Sequence, residues 1–263
     1  QIITWGTRPY LAKQENVTYI ECKSEKQLLM EFFKFWMKNY PDVITGWNTK
    51  FFDIPYLCNR TKRLVGDKVI NKLSPWGLIE EEKLTVRGRQ QTIFKIMGIS
   101  NLDYLDLYVK FIPTRQESYK LDYIAKVELG SDGKDNNPYD TFREWYTNDF
   151  QSFVDYNIKD VELVDQLEDK LRLIELILTM AYEAKINYTD VFSEVRLWDT
   201  LIYNHLLKEN IHIPPRTDNV KEEKYVGAYV KPPQVGQHKW IVSFDINSLY
   251  PHLIMQYNIS PEK

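Results

Sequence analysis

With 263 residues, 43% of them hydrophobic and 14% aromatic, the chain has material for one large or two modest cores, which excludes disorder as its default state. Two cysteines, Cys22 and Cys58, exclude a disulfide framework and fit a reducing compartment. A net charge of −3 counts against a simple double-stranded DNA binder with one basic face, and no apolar run approaches the roughly eighteen residues of a membrane span or the pattern of a signal peptide.

Residues 1–21 read as two short strands around a turn, Val17 and Tyr19 alternating in the second. Ser24 and Gln27 form a capping box, and a helix through Leu28, Phe32, Phe35 and Trp36 runs to Pro41. Val43 and Ile44 read as a buried strand that turns through Gly46, Trp47 and Asn48 into a helix opening at Asp53, an N-cap residue with Pro55 in the first turn. In that plain reading Asp53 is a cap. Strands alternating with helices predict an α/β protein.

Residues 83–99 predict a β-hairpin with Gly88 near its turn; Lys83, Arg87 and Arg89 make it the most basic local feature, for which a solvated edge is the bland explanation. Leu102, Leu105, Val109 and Ile112 recur as in a helix over residues 101–112, with Asp103 and Asp106 off that face as solvent-facing or capping residues. A short helix follows over residues 118–129, stopped by Gly130, and then a turn-rich loop over residues 130–137.

Residues 150–171 form the strongest amphipathic helix, with Phe153, Val164, Leu167 and Leu171 on one stripe. Tyr156 and Asp160 lie on that stripe one turn apart, whereas Asp155, Glu162 and Asp165 look like solvated charges. A buried carboxylate is costly unless it is paired or holds a metal, so Asp160 is either half of a core salt bridge or a ligand. Helix continues through Ala184 and again over residues 195–207. The two prolines and charge run of residues 213–224 mark the best domain boundary. Beyond it, Ile241–Phe244 predicts a strand ended by Asp245, and Pro251 opens a helix carrying Leu253, Ile254 and Tyr257.

Three motifs now stand in order: N-x-x-x-F-D (Asn48, Phe52, Asp53), Y-x-x-x-D (Tyr156, Asp160) and D-x-x-S-L-Y-P (Asp245, Ser248, Leu249, Tyr250, Pro251). With the wording GWNTKFFDIPYLCNR and DYNIKDVELVDQLE, they resemble family B DNA polymerases of the T-even bacteriophage type: the first two the 3′–5′ exonuclease, the third motif A of the polymerase palm. The resemblance implies a ribonuclease H-like exonuclease domain, a mixed sheet flanked by helices with a β-hairpin insertion, over residues 1–172. Connecting helices would follow over 173–216 and the start of a palm over 217–263.

The resemblance also implies two-metal-ion chemistry with two Mg²⁺ ions per active site, for which Mn²⁺ can substitute. Asp53 and Asp160 would hold the exonuclease metals, Tyr156 would orient the attacking water, and Asn48 and Phe52 would position the 3′-terminal nucleotide, with Lys134 directed at the same site. Asp245 would hold the polymerase metals, Tyr250 would pack under the incoming sugar, and Ser248 and Leu249 would line that pocket. Arg87, Arg89, Tyr225 and Gly227 would contact DNA, the last two in a Y-x-G-A turn (Tyr225–Ala228). The implied partners are primer-template DNA, single-stranded 3′ ends, deoxynucleoside triphosphates and a sliding clamp reached through a region outside this chain. The implied place is the cytoplasm of an infected bacterium.

Nothing in residues 1–48 matches the family's D-x-E motif, and its D-T-D acid would lie beyond Lys263, so the chain reads as an internal piece with both ends cut. Two further readings stay open: a free-standing ribonuclease H-like 3′–5′ exonuclease, and a non-catalytic nucleic-acid-binding scaffold. The S-L-Y-P segment argues against the first; the missing D-x-E suits the second.

Overall fold

A computed structural model describes residues 1–86, 88–130, 138–213 and 227–260, with Val86 and Arg89 described as backbone alone. The chain divides into two units, Gln1–Pro214 and Pro215–Lys263, each taken by itself here.

The first unit is α/β. Strands β1 (Ile2–Gly6) and β2 (Val17–Glu21) pair in parallel, Ile2 opposite Val17 and Gly6 opposite Glu21. Residues 7–16 therefore cross back over the ladder, where the sequence predicted a turn. The reason is that this crossing is fastened to a helix 140 residues later, α6 (Phe150–Leu171). Leu11 N–H donates to Gln151 Oε1 (3.0 Å), Gln151 Nε2 returns a bond to Leu11 O (2.9 Å), and Tyr10 Oη and Lys13 Nζ both donate to Asp155 (2.8 and 2.6 Å). Asp155 is thus a tether and not the free surface charge the sequence suggested.

Helix α1 (Glu25–Lys38) starts as predicted, with Ser24 Oγ accepting from Gln27 N–H (3.3 Å). The reciprocal bond comes one residue early, from Lys23 N–H to Gln27 Oε1 (2.8 Å). Strand β3 (Val43–Gly46) leads to α2 (Asp53–Leu64), which opens on Phe52 as N-cap with no side-chain cap bond, so Asp53 is the first helical residue and not the cap. A 3-10 helix (Asp67–Leu73) follows, then β4 (Ile79–Val86) and β5 (Arg89–Ile96), an antiparallel hairpin with Val86 opposite Arg89. Gly88 sits in the turn at φ +76°, a conformation that costs glycine little. Glu81 and Glu82 pair with Lys62 and Lys95, so the described part of the hairpin is less basic than the sequence suggested.

Residues 101–112 are not one helix. Strand β6 (Ser100–Asp103) pairs in parallel with β3, and α3 (Tyr104–Phe111) begins only after it. A neighbouring strand that supplies a hydrogen-bonded ladder overrides the helical spacing of the leucines. The buried face of α3 is Tyr104, Leu107 and Tyr108, while Val109 is exposed. Then come α4 (Leu121–Leu129), closed by Gly130 at φ +64°, α5 (Phe142–Asn148), α6, α7 (Leu173–Ala184) and α8 (Glu194–Lys208). Among the described residues the strands form three separate two-stranded ladders.

Three apolar clusters hold this unit. The largest joins Leu102, Tyr108, Ile124, Leu163, Leu167 and Ile177, all at or near zero exposure. Each fully buried leucine or isoleucine contributes about 1.5–3 kcal/mol of transfer free energy. A second gathers Phe33, Ile54, Cys58, Leu73, Phe94 and Ile99 against α2. A third, Val17, Val154 and Ile158, seats α6 on β2. Helix α6 switches faces along its length: Val154 and Ile158 meet the sheet, while Leu163, Val164 and Leu167 enter the main core. Tyr156 and Asp160 are half-buried and lie, by helical spacing, on the same side as Leu163 and Leu167. Both cysteines are buried and free, and burial pushes the Cys58 thiol up to about 12.

The second unit has one regular element among its described residues, α9 (Leu249–Tyr257), with Pro251 in its first turn. The predicted strand Ile241–Phe244 is not formed, since a strand needs a ladder partner and none of the described residues lies beside it. Among the described residues no helix is long and apolar enough to cross a membrane.

Candidate active site

Strands β3 and β6 end together, Gly46 opposite Asp103. The crevice outside the carboxyl ends of parallel strands is where open α/β sheets bind ligands. From Gly46 the chain runs Trp47–Phe52 into α2, and this short loop is held closely. Asn48 takes a left-handed backbone (φ +67°), which asparagine tolerates better than most residues. Its N–H donates to Asp103 Oδ1 (2.9 Å) and the Lys50 N–H to Asp103 Oδ2 (2.9 Å). Thr49 Oγ1 donates to Asn101 Oδ1 (3.0 Å), and Thr45 Oγ1 to Leu102 O (2.7 Å). A Cβ on Gly46 would meet Thr49 Cγ2 at 2.6 Å, so the close turn needs glycine there.

Asp53 follows as the first residue of α2, where the amino-terminal end of the helix dipole favours a carboxylate. It is exposed toward solvent, yet its inner side is packed by protein. Desolvation raises its pKa above the usual carboxylate range, its own backbone N–H partly offsets this, and the charges of Asp103 and Asp160 raise it further. The charges of acids on β6 and α6 therefore both reach Asp53 at the start of α2.

That repulsion has a measurable consequence. A carboxyl whose pKa is higher in the folded state than in the unfolded chain weakens the fold as pH rises through that window, and the penalty is complete at neutral pH. In the purified chain with chelator present, Asp53→Asn should raise Tm at pH 7. Solvent screening holds the gain below about 1 kcal/mol, or about 2–4 °C at most for a protein of this size. The gain should disappear below about pH 4, where the acid is protonated in both states. A lower Tm at pH 7 would show that the carboxylate is a stabilising helix residue instead.

Around the three acids stand aromatic side chains. Phe52 and Tyr56, 64% and 61% exposed, lie with ring centroids 6.3 Å apart and planes at 12°. The Tyr156 ring packs on Trp145 (4.8 Å) and Phe142 (6.0 Å) of α5. Trp145 is itself buried and anchored by its Nε1–H to Ser152 Oγ (2.6 Å). Beside Tyr156 opens a cleft of about 550 Å³ that Lys13, Trp145 and Lys159 also line.

Asn48, Phe52, Asp53, Tyr156 and Asp160 all belong to the first unit, and Asp53 and Asp160 are brought within each other's field. Asp245, Ser248, Leu249, Tyr250 and Gly227 belong to the second. There Asp245 lies in an irregular exposed segment, Ser248 precedes α9 at φ +53°, and Tyr250 is 72% exposed. Gly227 is exposed and irregular; Arg87, Lys134 and Tyr225 lie outside the described residues. Of the two sequence readings of Asp103, capping holds, since it accepts from Leu105 N–H at the start of α3, and solvent-facing does not, since it is 3% exposed. Its bonds to the Asn48 and Lys50 amides were missed because Leu102 was assigned to a helix.

The fold and site define an α/β protein with an acidic centre at the carboxyl ends of two parallel strands, and comparison with known proteins says which one. Residues 2–124 match "DNA polymerase family B, exonuclease domain" and residues 193–263 match "DNA polymerase family B". The chain belongs to DNA polymerase family B. It is 41% identical over 249 residues to the DNA-directed DNA polymerase of Escherichia phage RB69 and 38% identical over 250 residues to that of Enterobacteria phage T4. Each alignment covers 94% of this chain and 27% of the relative. A more distant relative, the "DNA polymerase delta catalytic subunit" of Candida albicans, is 27% identical over 254 residues, 91% of this chain and 24% of that protein. The chain thus spans about a quarter of the length of these curated relatives.

Proposed function

We propose that the chain is the exonuclease-to-palm stretch of a proofreading DNA-directed DNA polymerase, working on primer-template DNA and single-stranded 3′ ends with deoxynucleoside triphosphates. The observation that supports the exonuclease half is that the charge of Asp160, 107 positions later in the chain, adds to the rise in the pKa of Asp53, which opens α2 just after the β3 end. A free-standing exonuclease is disfavoured, because residues 193–263 match the polymerase family as well. The ribonuclease H-like arrangement, with β4–β5 as an inserted hairpin, and the division 1–172, 173–216 and 217–263 belong to this proposal. So do a sliding-clamp partner and the cytoplasm of an infected bacterium as the place of action.

The donor chemistry of the site fits Mg²⁺ or Mn²⁺, hard cations that take carboxylate oxygen, and a cation would relieve the repulsion that raises Asp53. Asp53 and Asp160 are the residues that would hold it. When bound, a pair of such ions supplies an activated oxygen nucleophile and stabilises the leaving oxygen. The chain's own residues do the rest. Asn48 and Phe52, at the mouth of the loop, hold the terminal nucleotide, with the exposed Phe52 ring offering a face for a base. Tyr156, its ring packed on Trp145, would orient the attacking water through its hydroxyl. Arg87, Arg89, Tyr225 and Gly227 would contact DNA, and Lys134 would act at the exonuclease site. In the second unit Asp245 would hold metal, Tyr250 would pack against the incoming sugar, and Ser248 and Leu249 would line that pocket.

Among the described residues no group of three or more His, Cys, Asp or Glu is placed to hold a metal ion. Two acids offset the repulsion of two nearby cations poorly, so the 263-residue chain alone should not digest labelled single-stranded DNA in Mn²⁺ at a useful rate. Digestion by the chain that Asp160→Ala abolishes would show that a complete site is already present, with ligands other than those proposed.

A further inference from the structure

We infer that Asp103 is a positioning residue of the proposed exonuclease site: its carboxylate clamps the loop that delivers Asn48 and Asp53 to the end of β6. The inference rests on the exonuclease reading above and adds to it a residue that no family motif in this sequence contains.

The plain alternative is that Asp103 only caps α3, since its Oδ1 accepts from Leu105 N–H (3.1 Å). A cap needs one acceptor, can sit in water, and is served as well by serine or asparagine. Asp103 is 3% exposed and makes two further bonds, to the Asn48 and Lys50 amides more than fifty positions earlier. Burying a carboxylate is costly, and desolvation raises its pKa while the bonds from Lys50 and Asn48 pull it back down. The cap alone leaves that cost without a counterpart; the clamp accounts for it, because both oxygens are used across two elements.

The clamped loop is one that needs holding. Asn48 is left-handed, a state that persists only where the surroundings over-determine it. Four residues later the chain must place Phe52 and Asp53. The Phe52 N–H bonds to Asn48 O (3.0 Å) and the Ile54 N–H to Thr49 O (3.0 Å), so a shift at Asn48 is passed directly into the start of α2. Lys50 Nζ, 3.3 Å from Asp106 Oδ2, fastens the same loop to α3 from outside.

The test compares variants in the full-length polymerase that carries this stretch, measuring single-turnover digestion of single-stranded 3′ ends, the Mn²⁺ concentration for half-maximal digestion, matched-primer extension, and Tm. Asp103→Asn keeps one carbonyl acceptor and turns an amide NH₂ toward the Lys50 N–H. Digestion should fall about 10- to 100-fold, the scale of effect when positioned reacting groups shift slightly. Half-maximal digestion should need more Mn²⁺, and extension should not change. Ser74→Ala, which breaks a buried bond to Met97 O (2.6 Å) elsewhere in the same unit, should lower Tm and leave digestion alone. Unchanged digestion in Asp103→Asn, or digestion and extension lost together, would overturn the inference, as would an equal loss of digestion in Ser74→Ala. Should Asp103→Asn not fold, Asp103→Glu, which keeps both acceptors on a longer stem, is read by the same outcomes. Asp160→Ala separates the two levels: if it still digests, the exonuclease reading fails; if it does not and Asp103→Asn does, only the positioning role fails.

Discussion

In the full-length polymerase, Asp53→Ala or Asp160→Ala lowers digestion of single-stranded 3′ ends by about three orders of magnitude or more, about 4 kcal/mol of transition-state stabilisation, and leaves primer extension intact. Both acids belong to the first unit and the charge of Asp160 reaches Asp53, whereas Asp245 stands in the second. On the proposed assignment, removing either would take a cation ligand from one site only. Neither substitution should unfold the protein. Asp53 makes no cap bond that α2 depends on, and Asp160 lies on a helix whose buried contacts are Val154, Ile158, Leu163, Val164 and Leu167. Loss of digestion and extension together would mean that these acids are parts of the scaffold.

The second large effect is on sugar selection. Tyr250→Ala should relax discrimination against ribonucleotides by about 10- to 100-fold, the scale on which one filled or emptied pocket volume decides between substrates. A ring packed against the sugar excludes a 2′-hydroxyl by volume alone. Within its unit Tyr250 is exposed at the first turn of α9, next to Ser248 in a left-handed conformation, and so projects from the start of the helix. Incorporation kinetics for matched ribo- and deoxynucleotides measure the ratio. An unchanged ratio would remove Tyr250 from the nucleotide pocket.

What could be read from the sequence depended on whether local pattern or a distant partner decides the structure. The bounds of helix α6 were legible to the residue from its amphipathic stripe, but its second buried face, Val154 and Ile158, was not. The Ser24 cap, the Gly130 stop and the hairpin around Gly88 were legible from local pattern as well. Strand β6 was not. Its four residues, Ser100–Asp103, become a strand only because β3 lies alongside, and their leucine fitted the helical spacing of the residues that follow. For Asp103 the sequence offered a cap or a solvent-facing acid; the cap is there, but only a strand end lets the same carboxylate close on Asn48 and Lys50.

Asp155 failed in a similar way, since its partners Tyr10 and Lys13 come from a crossing that looked like a hairpin turn. At the proposed site, Asp53, Tyr156 and Asp160 were singled out through motif spacing. That the charge of Asp160 reaches Asp53, and that Tyr156 packs on Trp145, depends on tertiary structure. The predicted strand Ile241–Phe244 shows the opposite limit: a short apolar stretch gave the signal, and no ladder among the described residues receives it.

The central claim is that Asp53 and Asp160 serve one site. Groups that work as a unit are strongly non-additive, because removing the second costs little once the first is gone. Single-turnover digestion of single-stranded 3′ ends by the full-length polymerase, by Asp53→Asn, by Asp160→Asn and by the double variant completes a cycle that reads this directly. The account predicts a double variant no slower than the slower single one. Losses that multiply across the two positions would contradict it and assign the acids to separate tasks.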